Sequence, residues 1–112
     1  MNRFVIAALL FVVLTTAAQA DRRVTATWYG EELRGRRTAS GQPFNPNGMT
    51  AAHRSLPFGT CLVIGNPKTG KSVAVTVNDR GPFDAGLTLD LSRGAARAIG
   101  ITETQDVTMR AC

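Results

Sequence analysis

A chain of 112 residues has room for one small domain, and its formal net charge of +5 favours anionic partners. One histidine and two cysteines, Cys61 and Cys112, make too poor a set for a zinc site, so no metal or other cofactor is expected. The sequence contains no internal repeat and no low-complexity stretch.

Taken in chain order, the first feature is a targeting segment. Arg3 supplies a positive start, residues 4–14 are an almost unbroken apolar run, and Ala18-Gln19-Ala20 is a small-x-small cleavage site. Residues 1–20 are expected to be a secretory signal peptide and residues 21–112 the domain. An uncleaved anchor is the alternative, but the run is short for a membrane span of about 20 residues. No cysteine stands at the cleavage site to carry a lipid. The expectation is therefore a soluble monomer, periplasmic or secreted. Losing Arg3 lowers the charge from +5 to about +4, which suits a cell wall or lipid head groups. Export argues against nucleic acid as the partner.

Residues 24–29 are β-branched and aromatic and predict a strand. Residues 30–48 are rich in Gly, Pro, Asn and charge and predict a long loop, a place where function concentrates in small domains. The basic run Arg34-Gly35-Arg36-Arg37 within it reads as a solvated loop. Residues 49–53 are short and ambiguous. Leu56-Pro57-Phe58-Gly59 reads as a turn, residues 61–65 as a strand, and Asn66-Pro67-Lys68-Thr69-Gly70 as a second turn. In residues 72–78, Val73, Val75 and Val77 alternate with Ala74 and Thr76, which makes this segment the hairpin partner of the preceding strand. Residues 79–86 form a loop around Gly81-Pro82, and residues 87–91 a short strand. Ser92 fits a helix N-cap, residues 93–99 one short helix, and Gly100 its C-terminal stop. Residues 106–112 are a last strand with Val107 and Met109 on one face. Five or six short strands and one small helix suggest a closed barrel.

An oxidising compartment favours a bridge between Cys61 and Cys112, closing a loop of about 50 residues and stabilising by roughly 4 kcal/mol. Two free thiols are the alternative.

Six segments then occur in order: Tyr29-Gly30, Thr38-Ala39-Ser40-Gly41, Met49-Thr50-Ala51-Ala52-His53, Leu56-Pro57-Phe58-Gly59-Thr60, Val77-Asn78-Asp79-Arg80-Gly81-Pro82-Phe83 and Asp90-Leu91-Ser92. Together they resemble the rare lipoprotein A (RlpA) family of double-psi β-barrels, over nearly all of residues 24–112. The resemblance implies a mostly β fold, a six-stranded double-psi barrel with one short helix. It also implies lytic transglycosylation of peptidoglycan on glycan strands stripped of stem peptides. Related barrels include expansins, which loosen walls without evident hydrolysis, so a non-catalytic glycan-binding module is the competing reading. Neither a lipid-bearing cysteine nor a peptidoglycan-binding repeat, both common in the family, is found in this sequence.

In lytic transglycosylation the C6 hydroxyl of N-acetylmuramic acid attacks its own anomeric carbon. The nucleophile belongs to the substrate, so one carboxyl can protonate the leaving oxygen and then take the C6 proton. Of the eight carboxylates, Asp79 and Asp90 fall at strand ends, where backbone geometry holds a side chain firmly. Asp79 matches the catalytic Asp of the family; its bland reading is a turn residue bonded to backbone amides. Asp90 matches a groove carboxylate of expansin-like relatives, or serves the nearby helix N-terminus. Gln42 stands where the family has a Glu implicated in activity. An amide cannot exchange protons near neutral pH, so Gln42 disables an acid–base role but tolerates an orienting one. Glu31 and Glu32 are conceivable stand-ins. The resemblance also implies a site role for His53, which could hold Asp79 or a sugar hydroxyl. It suggests Tyr29 as a sugar-facing aromatic, with Trp28 a weaker candidate. Arg80 is matched either to the lactyl carboxylate of muramic acid or to holding its loop.

Overall fold

The computed structural model describes residues 21–112, so the signal-peptide expectation for residues 1–20 lies outside the described residues. Six strands close into a barrel: β1 Arg22–Tyr29, β2 Thr50–Ala52, β3 Cys61–Asn66, β4 Lys71–Asp79, β5 Leu89–Ser92 and β6 Gln105–Ala111. Their order around the barrel is β1-β5-β2-β4-β3-β6. β1 runs parallel to β5 and β2 parallel to β4, and the remaining neighbours are antiparallel. This is the double-psi architecture the resemblance implied.

Alternation along each strand builds the core. Val75 and Val77 of β4, Val107 and Met109 of β6, Ile64 of β3 and Leu89 and Leu91 of β5 all point inward and are buried. The hairpin partner was correctly read: β3 and β4 pair from Cys61↔Thr76 to Asn66↔Lys71. The ambiguous residues 49–53 hold β2, whose three residues are too few to show a period. They become a strand because β4 and β5 flank them on both sides.

The helix α1, Arg93–Ala98, starts where Ser92 accepts a hydrogen bond from Ala95 N at 3.2 Å, as its N-cap reading required. Ala95 and Ala96 pack it onto the core. Its start meets the long loop so closely that a Cβ on Gly94 would lie 2.7 Å from the Asn47 carbonyl oxygen. Only glycine fits there. Its far end is tied to the β3–β4 turn by Asn66, a buried amide with partners on both its oxygen and its nitrogen. Asn66 Nδ2 donates to Ile99 O at 2.7 Å, and its Oδ1 accepts from Lys68 N and Gln105 Nε2.

Cys61 and Cys112 are bridged, with Cα atoms 5.4 Å apart. The bridge joins the start of β3 to the residue after β6, beside the Leu62↔Ala111 pair. No helix among the described residues is long and apolar enough to cross a membrane.

Candidate active site at the barrel mouth

The sheet register lines up the two chosen carboxylates. Asp90 pairs with Thr27 of β1 on one side and Ala52 of β2 on the other, and Ala52 in turn pairs with Asp79 of β4. Asp79 and Asp90 therefore stand two strands apart, about 10 Å between Cα atoms, with a methyl side chain between them. Ala52 is buried, covered by Tyr29 and Phe44. The register also shifts here: Ala51 pairs with Val77 but Ala52 with Asp79, leaving Asn78 as the extra residue of a β-bulge. Bulges re-aim side chains at strand ends.

Asp79 is held by backbone. Its Oδ1 accepts from Ala39 N at 2.9 Å and Arg80 N at 2.8 Å. The Ala39 amide reaches it because Thr38-Ala39-Ser40-Gly41 folds into a turn. Thr38 N and Thr38 Oγ1 both donate to Gln42 O, and Gly41 adopts a φ of +94° that suits glycine. Ser40 N donates to Asn78 O and docks the turn on β4. Two motifs distant in sequence thus meet to fix one carboxylate.

Asp90 is in a different environment. Its Oδ1 is buried with no hydrogen-bond partner. Burial, with the charges of Asp79, Asp84 and Glu32 adding to it, pushes its carboxyl up to about 7. The Tyr29 hydroxyl is likewise buried without a partner, and burial first, then the charges of Asp79 and Asp90, hold its pKa well above the ordinary tyrosine value.

Tyr29 sits at the site but not as an open platform. It is only 8% exposed, and its ring stacks on Phe44 at 4.5 Å and 23°. Phe44, together with Leu33, packs it into a small satellite core against Ala52. Trp28, next along the strand, points to the other face, where its Nε1 donates to Thr102 O.

His53 lies beside Asp79 through backbone, its N–H donating to Asp79 O at 3.2 Å. The ring does not hold Asp79. Nδ1 accepts from Ser55 N and Leu56 N, both at 3.1 Å, so the neutral ring carries its proton on Nε2. Partial burial, then the charges of Arg54, Arg80 and Arg22, lower its pKa. Arg80 is committed to the same loop. Its Nη1 donates to His53 O at 3.2 Å and Leu56 O at 2.9 Å, and its guanidinium lies 4.0 Å over the Phe58 ring. Of the two readings for Arg80, the loop-holding one matches these contacts.

Gln42 lies outside the Asp79 cleft. That cleft, about 210 Å³, has Tyr29, Phe44 and Thr38 for its floor and Arg36 and Arg37 on its wall. Gln42 instead lines a neighbouring cleft of about 270 Å³ with Ser40, Phe58, Gly59 and Asn78. Neither proposed stand-in supplies a free carboxylate to the Asp79 cleft. Glu31 is paired with Arg34 and Arg93, and Glu32 accepts from Gly30 N.

Arg36, Arg37 and Phe44 were not singled out by sequence. The arginines looked like an ordinary solvated run. Phe44 had a usable signal, being one of few large apolar residues in a polar loop, two positions after Gln42.

A family model described as lytic transglycolase matches residues 21–111. The chain is similar to the probable endolytic peptidoglycan transglycosylase RlpA of Synechocystis, 60% identical over 76 residues, covering 68% of this chain and 24% of that protein. It is 48% identical over 88 residues to the endolytic peptidoglycan transglycosylase RlpA of Pseudomonas aeruginosa, covering 78% and 26%. The Neisseria meningitidis protein of that name is 42% identical over 83 residues, covering 74% and 35%. The chain thus spans roughly a quarter to a third of the curated relatives it matches. Among solved structures, the expansin of Clavibacter michiganensis gives a TM-score of 0.64 at 25% identity, over 83% of this chain and 50% of that one. The Streptomyces papain inhibitor gives 0.62 at 17% identity, over 81% and 93%, a likeness of fold alone.

Proposed function

This chain belongs to the lytic transglycolase family, and on that premise we propose that it is an exported enzyme that cuts peptidoglycan glycan strands by lytic transglycosylation. The observation that carries the proposal is the carboxyl pair across Ala52, in which one partner is kept near neutral pKa and the other is clamped by two amides. Pairs of titratable groups pushed apart by their surroundings are how one site supplies both an acid and a base.

The geometry supports a division of labour. Asp90, protonated up to about pH 7, gives its proton to the glycosidic oxygen as the bond from the muramic anomeric carbon breaks. The charge of Asp79, fixed by Ala39 and Arg80, faces the positive charge that develops on the sugar ring. The Asp79 carboxylate receives the proton of the C6 hydroxyl as that oxygen bonds to the anomeric carbon. The products are a free hydroxyl end and a 1,6-anhydro end. One proton has moved onto Asp79 and one off Asp90, and exchange with solvent resets the pair. The protein thus requires no water as nucleophile.

His53 supports this by shaping residues 53–58, its Nδ1 accepting from Ser55 N and Leu56 N. Arg80 acts as a fastener. Arg36 and Arg37, without ion-pair partners among the described residues, take over the role first considered for Arg80, facing the lactyl carboxylate of muramic acid. Gln42 in place of the family Glu favours the competing reading, a barrel that grips glycan without cutting it.

One experiment separates the two. Residues 21–112 are incubated with peptide-stripped glycan strands, and 1,6-anhydromuramyl ends are sought by mass spectrometry. The enzyme reading requires such ends from the natural chain and a loss of at least about 100-fold in both Asp79→Asn and Asp90→Asn. No product from the natural chain, with product restored by Gln42→Glu, would mean a lapsed active site.

A further inference from the structure

We propose that the Tyr29 hydroxyl is a proton bridge between the two carboxyls of the site, returning to Asp90 the proton that Asp79 receives in each cycle. The inference rests on the lytic reading above and adds the group through which Asp79 and Asp90 act as a pair. Tyr29 itself works through the carboxyls and not on the sugar.

Placement carries it. Side chains alternate along β1: Ala26 enters the main core with its partner Leu89, so Thr27 and Tyr29 take the opposite face. Thr27 pairs with Asp90 and Tyr29 with Ser92, which puts Asp90 on the face of Tyr29. Tyr29 packs with Phe44 against Ala52 of β2, and β5 lies between β1 and β2. The Tyr29 ring therefore crosses β5, the strand of Asp90, to reach its packing partner. Beyond Ala52 stands its register partner Asp79 on β4, which lines one cleft with Tyr29. The hydroxyl at the end of the ring is thus carried into the interval between the two carboxyls. Two unmet groups fit one another there. The hydroxyl is a buried donor without an acceptor, and Asp90 Oδ1 is a buried acceptor without a donor. Unpaired buried polar groups are costly, and native structures satisfy them or use them. After burial, the charges of Asp79 and Asp90 both act on the hydroxyl, and Asp79 acts on it through hydrogen bonding as well.

The reaction described above ends with one proton too many on Asp79 and one too few on Asp90. The bridge restores both in one movement. The Tyr29 O–H gives its proton to the Asp90 carboxylate as the phenol oxygen takes the proton of the Asp79 carboxyl. Two O–H bonds break, two form, and Tyr29 ends neutral as it began. Two backbone amides donate to the Asp79 carboxylate, whereas burial keeps Asp90 protonated up to about pH 7. The proton therefore runs from Asp79 to Asp90. Asp84 and Glu32 also act on Asp90, but neither lines the cleft that Tyr29 shares with Asp79. Exchange with solvent is the slower route, and it remains when the hydroxyl is removed.

The test has one arm without substrate and one with it. The chain has a single tyrosine, so a ¹³C label at its ring Cζ gives one NMR signal. In the free protein that signal should move as pH passes about 7, when Asp90 ionises and the hydroxyl turns to it. The step should vanish in Asp90→Asn. The second arm uses Tyr29→Phe, which keeps the ring and its stack on Phe44. With protein in excess over peptide-stripped glycan strands, the variant should form its first anhydro ends at the natural rate. With strands in excess, its turnover should fall about tenfold or more, and added imidazole, a small proton carrier, should restore it. The loss is smaller than the roughly 10²–10⁴-fold worth of a direct proton donor because solvent exchange remains. A Cζ signal indifferent to pH, an unchanged turnover, an equal loss in the first round, or a loss that imidazole does not relieve overturns the bridge. Anhydro ends from a natural chain whose Cζ signal stays flat would overturn the bridge and leave the reaction standing. A moving Cζ signal without anhydro ends would support the bridge and overturn the reaction.

Discussion

At the scale of single residues, Asp90 makes the sharpest prediction. Its carboxyl titrates at 3.8 in an unstructured chain and at about 7 in the fold. Below about pH 4 it is protonated in both states and has no effect. Between about pH 4 and pH 7 the unfolded chain releases this proton while the folded one keeps it, so its contribution to stability falls as pH rises. Above about pH 7 the fold carries a desolvated charge. Asp90→Asn mimics the protonated form at every pH. The variant should melt with the natural protein near pH 4 and at a higher temperature near pH 8, while losing activity at both. An identical melting difference at the two pH values would mean that Asp90 is not held protonated. Opposite effects on stability and activity are characteristic of a group strained for its function. The two carboxylates could be picked from sequence because both fall at or near the ends of predicted strands, although Asp90 lies inside β5. Their different surroundings could not, since those depend on burial and on the amide of Ala39, which is 40 residues from Asp79.

At the scale of elements, the mouth is built from loops that fasten one another. Residues 53–60 rest on the core through Leu56, and polar ties to β4 order the rest: His53 N to Asp79 O, Gly59 N to Val77 O, and the Arg80 guanidinium to two carbonyls. Arg80→Lys keeps the charge but loses the planar stack on Phe58 and the paired donation. It should cost about 1–2 kcal/mol. Amide hydrogen exchange should quicken in residues 53–60 while β3 and β6 keep their protection. Uniform loss of protection across the barrel would show that Arg80 supports the whole fold and not this loop. The sequence located every one of these loops from Gly, Pro and Asn. It did not reveal that Gln42 faces a different cleft from Asp79, because a 19-residue segment of loop, residues 30–48, has no periodicity from which direction can be read. Nor did it show the Asn78 bulge, which exists only in the pairing of β2 with β4.

At the scale of the whole molecule, strands β3, β4 and β6 were legible because Val75/Val77 and Val107/Met109 alternate, whereas barrel closure depended on the short β2 and β5, which carry almost no pattern of their own. Those two strands nevertheless form the seam on which Asp79, Ala52 and Asp90 line up. Ala51, Leu89 and Leu91 anchor it on the main core from the inner face. The Cys61–Cys112 bridge supports that closure from the opposite side of the sequence, joining residues 51 apart at the β3–β6 edge. A cross-link acts mainly by restricting the unfolded chain, and a loop of this length corresponds to about 4 kcal/mol. For a domain of about 90 residues each kcal/mol shifts the melting point by roughly 4–8 °C. Both cysteines are exposed, so a reductant can reach them. Reduction should therefore lower the melting temperature by more than about 10 °C, and a Cys61→Ser, Cys112→Ser double variant should melt with the reduced protein. Because the pairs Leu62↔Ala111 to Gly65↔Thr108 persist without the bridge, both forms should keep the same far-ultraviolet spectrum and glycan affinity at 20 °C or about that temperature. An unchanged melting temperature would mean that the strand pairing alone closes the barrel and that the bridge adds nothing to it.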